Sequence, residues 1–448
     1  ILLPVTTNVF AEITARVNRS TQDPQKRREL LARLVRLPEN PIGWPQDAFQ
    51  GFVDRQGRPV LRSTLKESVE PRGDPLRWKR VPQTERVSAV QDITSALSGC
   101  GFQSSEPLTA QFFVQEGQVV KEEDHLRTGD NTYKGGNIEA LPGGLCVVGK
   151  SADTTDSQWQ HYADQVCPRG NQIKAPAAWL DVGHTDEMMK LLPNKKNPAP
   201  CDFSIALASP DKALALLRSQ PQQPFLNFPA TGRESAADLN RRRSARGAIP
   251  DLCSRYQKIK KPELQRRSDR GSESVTKISA PTPSRQPAST ENFDCSTLTN
   301  DQVLQVMSED AEMKKYNELV QKTMNGFRDE MKKKVQEKTG CTPDFIDVPN
   351  LFEEKTFTDE ASNQRRTEFG LSEETGRSIL PSPTNSLSLG NTVITPEPGN
   401  QAFKDYITAE YSKRGIASSF QDTYDYGHTQ GGNLHCVTNT IHICNGQR

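Results

Sequence analysis

Apolar runs of strand length recur along the chain, each bounded by Gly, Pro or Asp, with helical patterns set between them. "ILLPVTT", "LTAQFFVQEG", "GGLCVVGK" and "DFSIALASP" read as strands, and "DPQKRRELLARLVRL" and "SPDKALALLRSQ" as helices. Ser209 followed by Pro210 puts a capping hydroxyl and a first-turn proline at the start of the second helix. Further on, "LTNDQVLQVMSEDAEMKKYNELVQKTMNGFRDEMKKKVQEKTG" is a polar helical stretch that ends at Gly340 with lysines in its last turns. "DFIDVPNLF", "NTVITPEP" and the helical "NQAFKDYITAEYSKRG" continue the alternation. Strands and helices that alternate to the end predict an α/β fold rather than separate all-α and all-β parts.

Composition qualifies this pattern in one place. The chain has 448 residues, enough for about two or three structural units, yet only 33% are hydrophobic and the mean hydropathy is -0.71, so part of it is expected to be solvated. That part is residues 217–292, rich in Pro, Ser and Arg, where positions 238–270 hold eleven Lys or Arg against four Asp or Glu. With Tyr256 the lone aromatic in that cluster, the segment reads as a basic mobile insertion rather than a nucleic-acid patch. Over the whole chain 57 Lys and Arg balance 56 Asp and Glu, a net charge of +1. This balance predicts neither a nucleic-acid nor a membrane partner. No window reaches the roughly 18 consecutive apolar residues of a membrane-spanning helix, and the chain is expected to be soluble. It begins at Ile1, which suggests a fragment or a processed form, so location is left between cytoplasmic and secreted. The nine cysteines, at 100, 146, 167, 201, 253, 295, 341, 436 and 444, show no framework spacing. Their odd number leaves at least one thiol free in a monomer.

Cys436 lies in "GGNLHCVTNTIHIC", residues 431–444, and three readings compete for it. A cysteine between apolar residues is often a small buried hydrophobe. His435, Cys436, His442 and Cys444 are all able to bind metal, but no CxxC or HxxxH pair accompanies them. A thiol beside a glycine-rich turn also suits a nucleophile, which needs an activating histidine within reach. "WPQDAF", with Trp44 and Asp47, and "WLDVGHTDE", with Val182, His184 and Asp186, supply candidate partners. In an extended segment His184 and Asp186, two residues apart, project to one side. Each also has a plain structural reading: Asp47 as a turn cap, His184 as a core histidine, Asp186 as the N-cap of a helix "EMMKLL".

Taken in order, "WPQDAF", "GGNIEALP", "WLDVGHTDE" and "GGNLHCVTN" resemble the catalytic core of the peptidylarginine deiminases and, more broadly, of the guanidino-group-modifying penteins. "DFIDVPNLF" and "SLSLGNTVITPEP" resemble that family's segments between the histidine and cysteine motifs. The resemblance implies a pentein α/β propeller of about five ββαβ units around a pseudo-fivefold axis, with residues 1–448 as one catalytic domain interrupted by 217–292. It implies hydrolysis of peptidyl-arginine in protein or peptide substrates to peptidyl-citrulline. Asp47 and Asp186 would hold the guanidinium, Cys436 would attack it, and His184 would transfer protons. Trp44 and Val182 would pack along the arginine stem.

The resemblance also bears on calcium, which the vertebrate enzymes require. Gln46 and Glu139 match metal-binding positions of that family, whereas Ala48 and Gln50 stand at two of its acidic positions. With two formal charges lost, the expectation is an enzyme that needs calcium weakly or not at all and has no required cofactor. No arginine stands in the context with which the family grips the peptide backbone; Arg127 is near but in a different one. "GGNIE" and the GG-x-x-HC spacing also resemble agmatine deiminases, which keeps free guanidino substrates as an alternative. A pentein used only for binding would be expected to lack one of the four chemical residues, and all four are present.

Overall fold

The computed structural model describes residues 135–150, 155–226, 252–260, 298–355, 375–424, 427–428, 432–436 and 438, with Pro24 and six short strands in the first 120 residues. Those strands form three pairs. β1 (Leu2–Leu3) runs parallel to β2 (Val35–Arg36), while β3 (Phe49–Val53) with β4 (Pro59–Ser63) and β5 (Val114–Gln115) with β6 (Gln118–Val119) are antiparallel. Trp44, Gln46 and Asp47, and the arginines at 241–243 and 246, lie outside the described residues.

After residue 135 one pattern recurs. β7 (Ile138–Leu141) and β8 (Leu145–Gly149) form a hairpin through Pro142, Gly143 and Gly144, both glycines at positive φ (78° and 71°). Helix α1 (Asp156–Val166) then carries the chain back so that β9 (Gln172–Ala175) runs parallel to β8. β10 (Met189–Pro193) and β11 (Phe203–Ser209) repeat the hairpin. The return passes through α2 (Pro210–Ser219), α3 (Asn300–Glu309) and α4 (Ala311–Thr339), and β12 (Asp344–Pro349) lies parallel to β11. β15 (Leu387–Leu389), β16 (Thr392–Pro396), α5 (Gln401–Lys413) and β17 (Ala417–Gln421) make the third copy. β13 (Phe352–Lys355) pairs with β14 (Thr375–Ser378) between the second and third. The protein is therefore mixed α/β, built on small separate sheets, with the ββαβ unit present three times among the described residues.

Local sequence sets these boundaries. Ser209 Oγ accepts from Lys212 N at 3.1 Å to start α2, and Asn400 Oδ1 accepts from Ala402 N and Phe403 N to start α5. Thr155 with Gln158 and Thr299 with Gln302 form reciprocal capping boxes. The long polar stretch that reads as one helix is two. Asp310 leaves helical geometry at the end of α3 and accepts from Glu312 N and Met313 N, so a good N-cap in mid-run starts a second helix. Gly340, at φ 72°, ends it. "EMMKLL" is mostly strand β10, and Asp186 caps no helix there.

The largest cluster of buried side chains joins the first two units beneath α4. Val147, Ile173, Ile205 and Leu207, all fully buried, meet Val320, Met324, Phe327, Met331 and Val335 of that helix. Each such side chain stabilises the fold by about 1.5–3 kcal/mol. A second cluster changes the reading of the 217–292 segment. Residues 252–260 form a helix whose Leu252, Cys253 and Tyr256 are buried against Val303, Val306 and Phe403, with Ile259 packed beside them. Arg255 pairs with Asp310 at 2.8 Å. Leu252, Tyr256 and Ile259 fall on one helical face, a stripe that the high count of basic residues conceals.

The cysteines are paired more than their spacing indicates. Cys146 is bonded to Cys167 and Cys201 to Cys341, with Cα separations of 6.0 and 5.5 Å; Cys253 is disulfide-bonded too. Cys201 precedes β11 and Cys341 precedes β12, so parallel pairing of these strands brings the two cysteines together. Among the described residues Cys436 is the cysteine outside a disulfide.

Candidate functional site

The connection from β9 to β10 carries Val182, His184 and Asp186, and it is pinned at its start. Leu180 bridges to Gly376, Asp181 N donates to Gly376 O at 2.8 Å, and Tyr316 Oη donates to Trp179 O at 2.6 Å. Burial, then the charges of Glu354, Glu187 and Asp181, push the Tyr316 phenol well above its ordinary range, so it remains a donor. A Cβ on Gly376 would lie 2.1 Å from that oxygen, which is why glycine stands there. Val182, half-buried, follows directly, and Gly183 at φ 74° turns the chain into the site.

His184 is extended, but Thr185–Glu187 form a single 3-10 turn rather than the extended run that the i, i+2 spacing suggests. The two side chains nonetheless share a face. A Cβ on Gly136 would lie 2.6 Å from His184 Nδ1 and 3.3 Å from Asp186 Oδ2, so only glycine lets the backbone pass over both. Asn137, next in "GGNIE", locks this packing: its amide donates to Gly149 O at 2.9 Å and its Oδ1 accepts from Thr185 Oγ1 at 3.2 Å. Both His184 and Asp186 are buried.

Cys436 arrives from the other end of the chain. Its Sγ lies 3.8 Å from Asp186 Oδ2, across 250 positions of sequence. That oxygen also accepts from His435 Nδ1 at 2.9 Å. Cys436 is 5% exposed, so its thiol is enclosed within the site. A neighbouring segment, "PSPTNS", fixes both halves of the site. Ser382 Oγ and Thr384 Oγ1 donate to Glu187 O at 3.0 and 2.8 Å. Asn385 Oδ1 accepts from His435 N and Cys436 N at 2.8 and 3.2 Å, and its amide donates to Cys436 Sγ at 3.1 Å. Asn385 therefore holds the cysteine's backbone and offers its sulfur a hydrogen bond that favours the thiolate, while the Asp186 charge disfavours it.

Glu139 was set apart by sequence as a candidate calcium ligand. Its Oε1 lies 3.1 Å from Lys190 Nζ and accepts from Leu191 N at 3.2 Å. A carboxylate already facing an ammonium does not suit a divalent cation, which like charge at that range would repel. Among the described residues no group of three or more His, Cys, Asp or Glu side chains is arranged to hold a metal ion. Lys190, Asn385 and Asn137 are the site residues that sequence reasoning did not single out.

His428, eight residues before Cys436, is partly buried against Tyr424, with Nε2 3.2 Å from Ile379 O. Burial, reinforced by the nearby positive charge of Arg377, pushes its pKa down to about 4. The unfolded imidazole takes up a proton near 6.5, whereas the folded one stays neutral until about 4. Over that window the unfolded state binds more protons, so stability falls as pH falls. His428 accounts for about 3 kcal/mol of that loss. Urea unfolding at a series of pH values should show this component between pH 6.5 and 4 in the native protein and its absence in His428→Gln.

Three comparisons with known proteins bear on this arrangement. A solved agmatine deiminase of C. jejuni aligns over 100% of this chain and 93% of its own, at 10% identity and a TM-score of 0.41; a likeness at that level carries no argument. No curated protein sequence matches. The family described as protein-arginine deiminase (PAD) matches residues 139–445, about two thirds of the chain, a span that holds Glu139, His184, Asp186 and Cys436. The chain belongs to the protein-arginine deiminase family and is, at that level, a guanidino-group deiminase, a hydrolase of guanidino C–N bonds.

Proposed function

We propose that the protein hydrolyses peptidyl-arginine to peptidyl-citrulline and ammonia through a covalent intermediate on Cys436, within a pentein propeller whose three described ββαβ units belong to a pseudo-fivefold set. The observation that carries the reading is the 3.8 Å approach of Asp186 Oδ2 to Cys436 Sγ, made by residues 250 positions apart inside the span matched to the family.

The chemistry follows from the groups present. A guanidinium is planar, cationic and a poor electrophile, so it must be held and its carbon placed over the sulfur. Asp186, and Asp47 by the sequence resemblance, bind it through charge-assisted hydrogen bonds. In the resting site Asp186 disfavours a charged sulfur. The arriving guanidinium reverses this by setting a positive charge beside both groups, and Asn385 adds a donor to the sulfur. Cys436 gives its proton to His184 and adds as the thiolate to the guanidinium carbon. The tetrahedral adduct collapses as the C–N bond breaks, and His184 gives the leaving nitrogen its proton, releasing ammonia and leaving an S-alkylthiouronium. His184, now neutral, takes a proton from water. The hydroxide adds to the same carbon, the C–S bond breaks as the hydroxyl proton is lost to solvent, and a ureido group departs while the thiolate takes back the proton held on His184. Val182 and Trp44 line the aliphatic stem of the substrate arginine.

The test compares ammonia release from an N-acylated arginine amide with release from free arginine and from agmatine. A kcat/KM at least about 10-fold higher for the acylated substrate, worth about 1.4 kcal/mol, is expected. Preference for agmatine or free arginine would move the enzyme to the small-molecule class. No release from any of the three would make it a binding module.

A further inference from the structure

Lys190 sits where a lysine is rarely found. Its side chain is 8% exposed and its partner Glu139 is 12% exposed, although both stand on edge strands, β10 and β7, beside the catalytic cluster. Burying such a pair gains little stability over an apolar pair of the same size. Lys190 makes a further contact that explains its position: Nζ lies 3.3 Å from His435 Nε2. An ammonium has three donors and no acceptor. His435 Nε2 must therefore turn its lone pair to Lys190, which places the ring proton on Nδ1. From Nδ1 that proton is donated to Asp186 Oδ2 at 2.9 Å, the oxygen nearest Cys436 Sγ. Glu139, Lys190, His435, Asp186 and Cys436 thus form one hydrogen-bonded line drawn from three separate parts of the chain.

Resting on the deiminase reading above, we infer that Lys190 is a built-in cation of this site: it neutralises Glu139, the carboxylate that the sequence offered to calcium, and through the His435 tautomer it positions Asp186 for the guanidinium. The chain carries its own positive charge at this point, and the enzyme works without calcium. Lys190 acts through His435 and Asp186 and touches no reacting atom. It is a positioning residue, and its loss is felt in substrate binding as well as in turnover.

Three measurements on the full chain test this. Activity of the native protein after exhaustive chelation should equal that with millimolar calcium restored, and calcium should not shift its Tm; a strict, reversible requirement overturns the inference. Lys190→Met alone leaves Glu139 buried without its cation and is expected to unfold at lower temperature. The informative variant is the pair Glu139→Gln with Lys190→Met, which removes both charges and keeps the volume. Its Tm should stay close to native while kcat/KM falls about 10–100-fold, the usual cost of losing an orienting partner, with a rise in KM. Native kcat and KM in that variant overturn the inference. Nitrogen-15 NMR of histidine-labelled protein reads the tautomer directly: His435 Nε2 should be unprotonated in the native protein, and a protonated Nε2 there overturns the assignment. The calcium-dependent Tm and the NMR signal do not need turnover. If the native protein deiminates nothing, the proposed function falls while these two still decide the role of Lys190.

Discussion

Cys436→Ala abolishes ammonia release from every guanidino substrate and leaves the fold in place. In the proposed reaction the sulfur forms the covalent bond on which both halves depend, and among the described residues there is no other cysteine outside a disulfide to replace it. The packing consequences are small by comparison. Alanine keeps the Cβ and the backbone amide that donates to Asn385, so the clamp on residues 435 and 436 survives. The sulfur goes, with its bond from the Asn385 amide and its contact with Asp186 Oδ2, a change in the ordinary range of about 1 kcal/mol. A circular dichroism spectrum like the native one with ammonia at background is the expected pair of results. Activity above a trace in this variant would put the nucleophile elsewhere.

Asp186→Asn is the second large effect, and it moves two observables in opposite directions. The carboxylate is held by His435 Nδ1 and directed at the substrate cation, and asparagine keeps the shape but not the charge. Charge-assisted hydrogen bonds are worth about 1.5–3 kcal/mol each, so losing two lowers kcat/KM by roughly 10²–10⁴-fold. The same substitution removes a negative charge 3.8 Å from the sulfur. The thiol should therefore ionise at lower pH and react faster with iodoacetamide at neutral pH, even as turnover collapses. Steady-state kinetics and alkylation rates on one preparation check both. Slower alkylation together with native turnover would show that Asp186 neither holds the substrate nor acts on the thiol.

The parts of this protein that sequence discloses are those encoded locally. Apolar runs of strand length bounded by turn residues locate β8, β11, β12 and β16, and Ser209 with Pro210 locates the start of α2. The motif order brings out His184, Asp186 and Cys436 because each carries unusual chemistry in an apolar or glycine-rich setting. Residues whose meaning depends on remote partners stay hidden. Lys190 in "EMMKLL", a stretch that reads as a helix, looks like a solvent-facing position, since the partners that bury it lie 51 and 245 residues away. Asn385 stands between Thr384 and Ser386 and looks like a turn residue; only a fold that returns Cys436 to it makes it a clamp. Disulfide connectivity is hidden for the same reason, because pairing follows Cα proximity and not spacing along the chain.

The Cys201–Cys341 bond spans 140 residues, and that interval contains α2, α3, α4 and the whole of the basic segment 217–292. His184 and Asp186 lie before the ring it closes, and Cys436 lies after it. A protease cutting anywhere inside the ring would produce a two-chain protein, visible as two bands only after reduction. The fragment bearing His184 and Asp186 would remain covalently tethered to the fragment bearing Cys436. Trimming within this region therefore need not part the two halves of the site, and a nicked form can retain the same covalent connection between them as the intact chain.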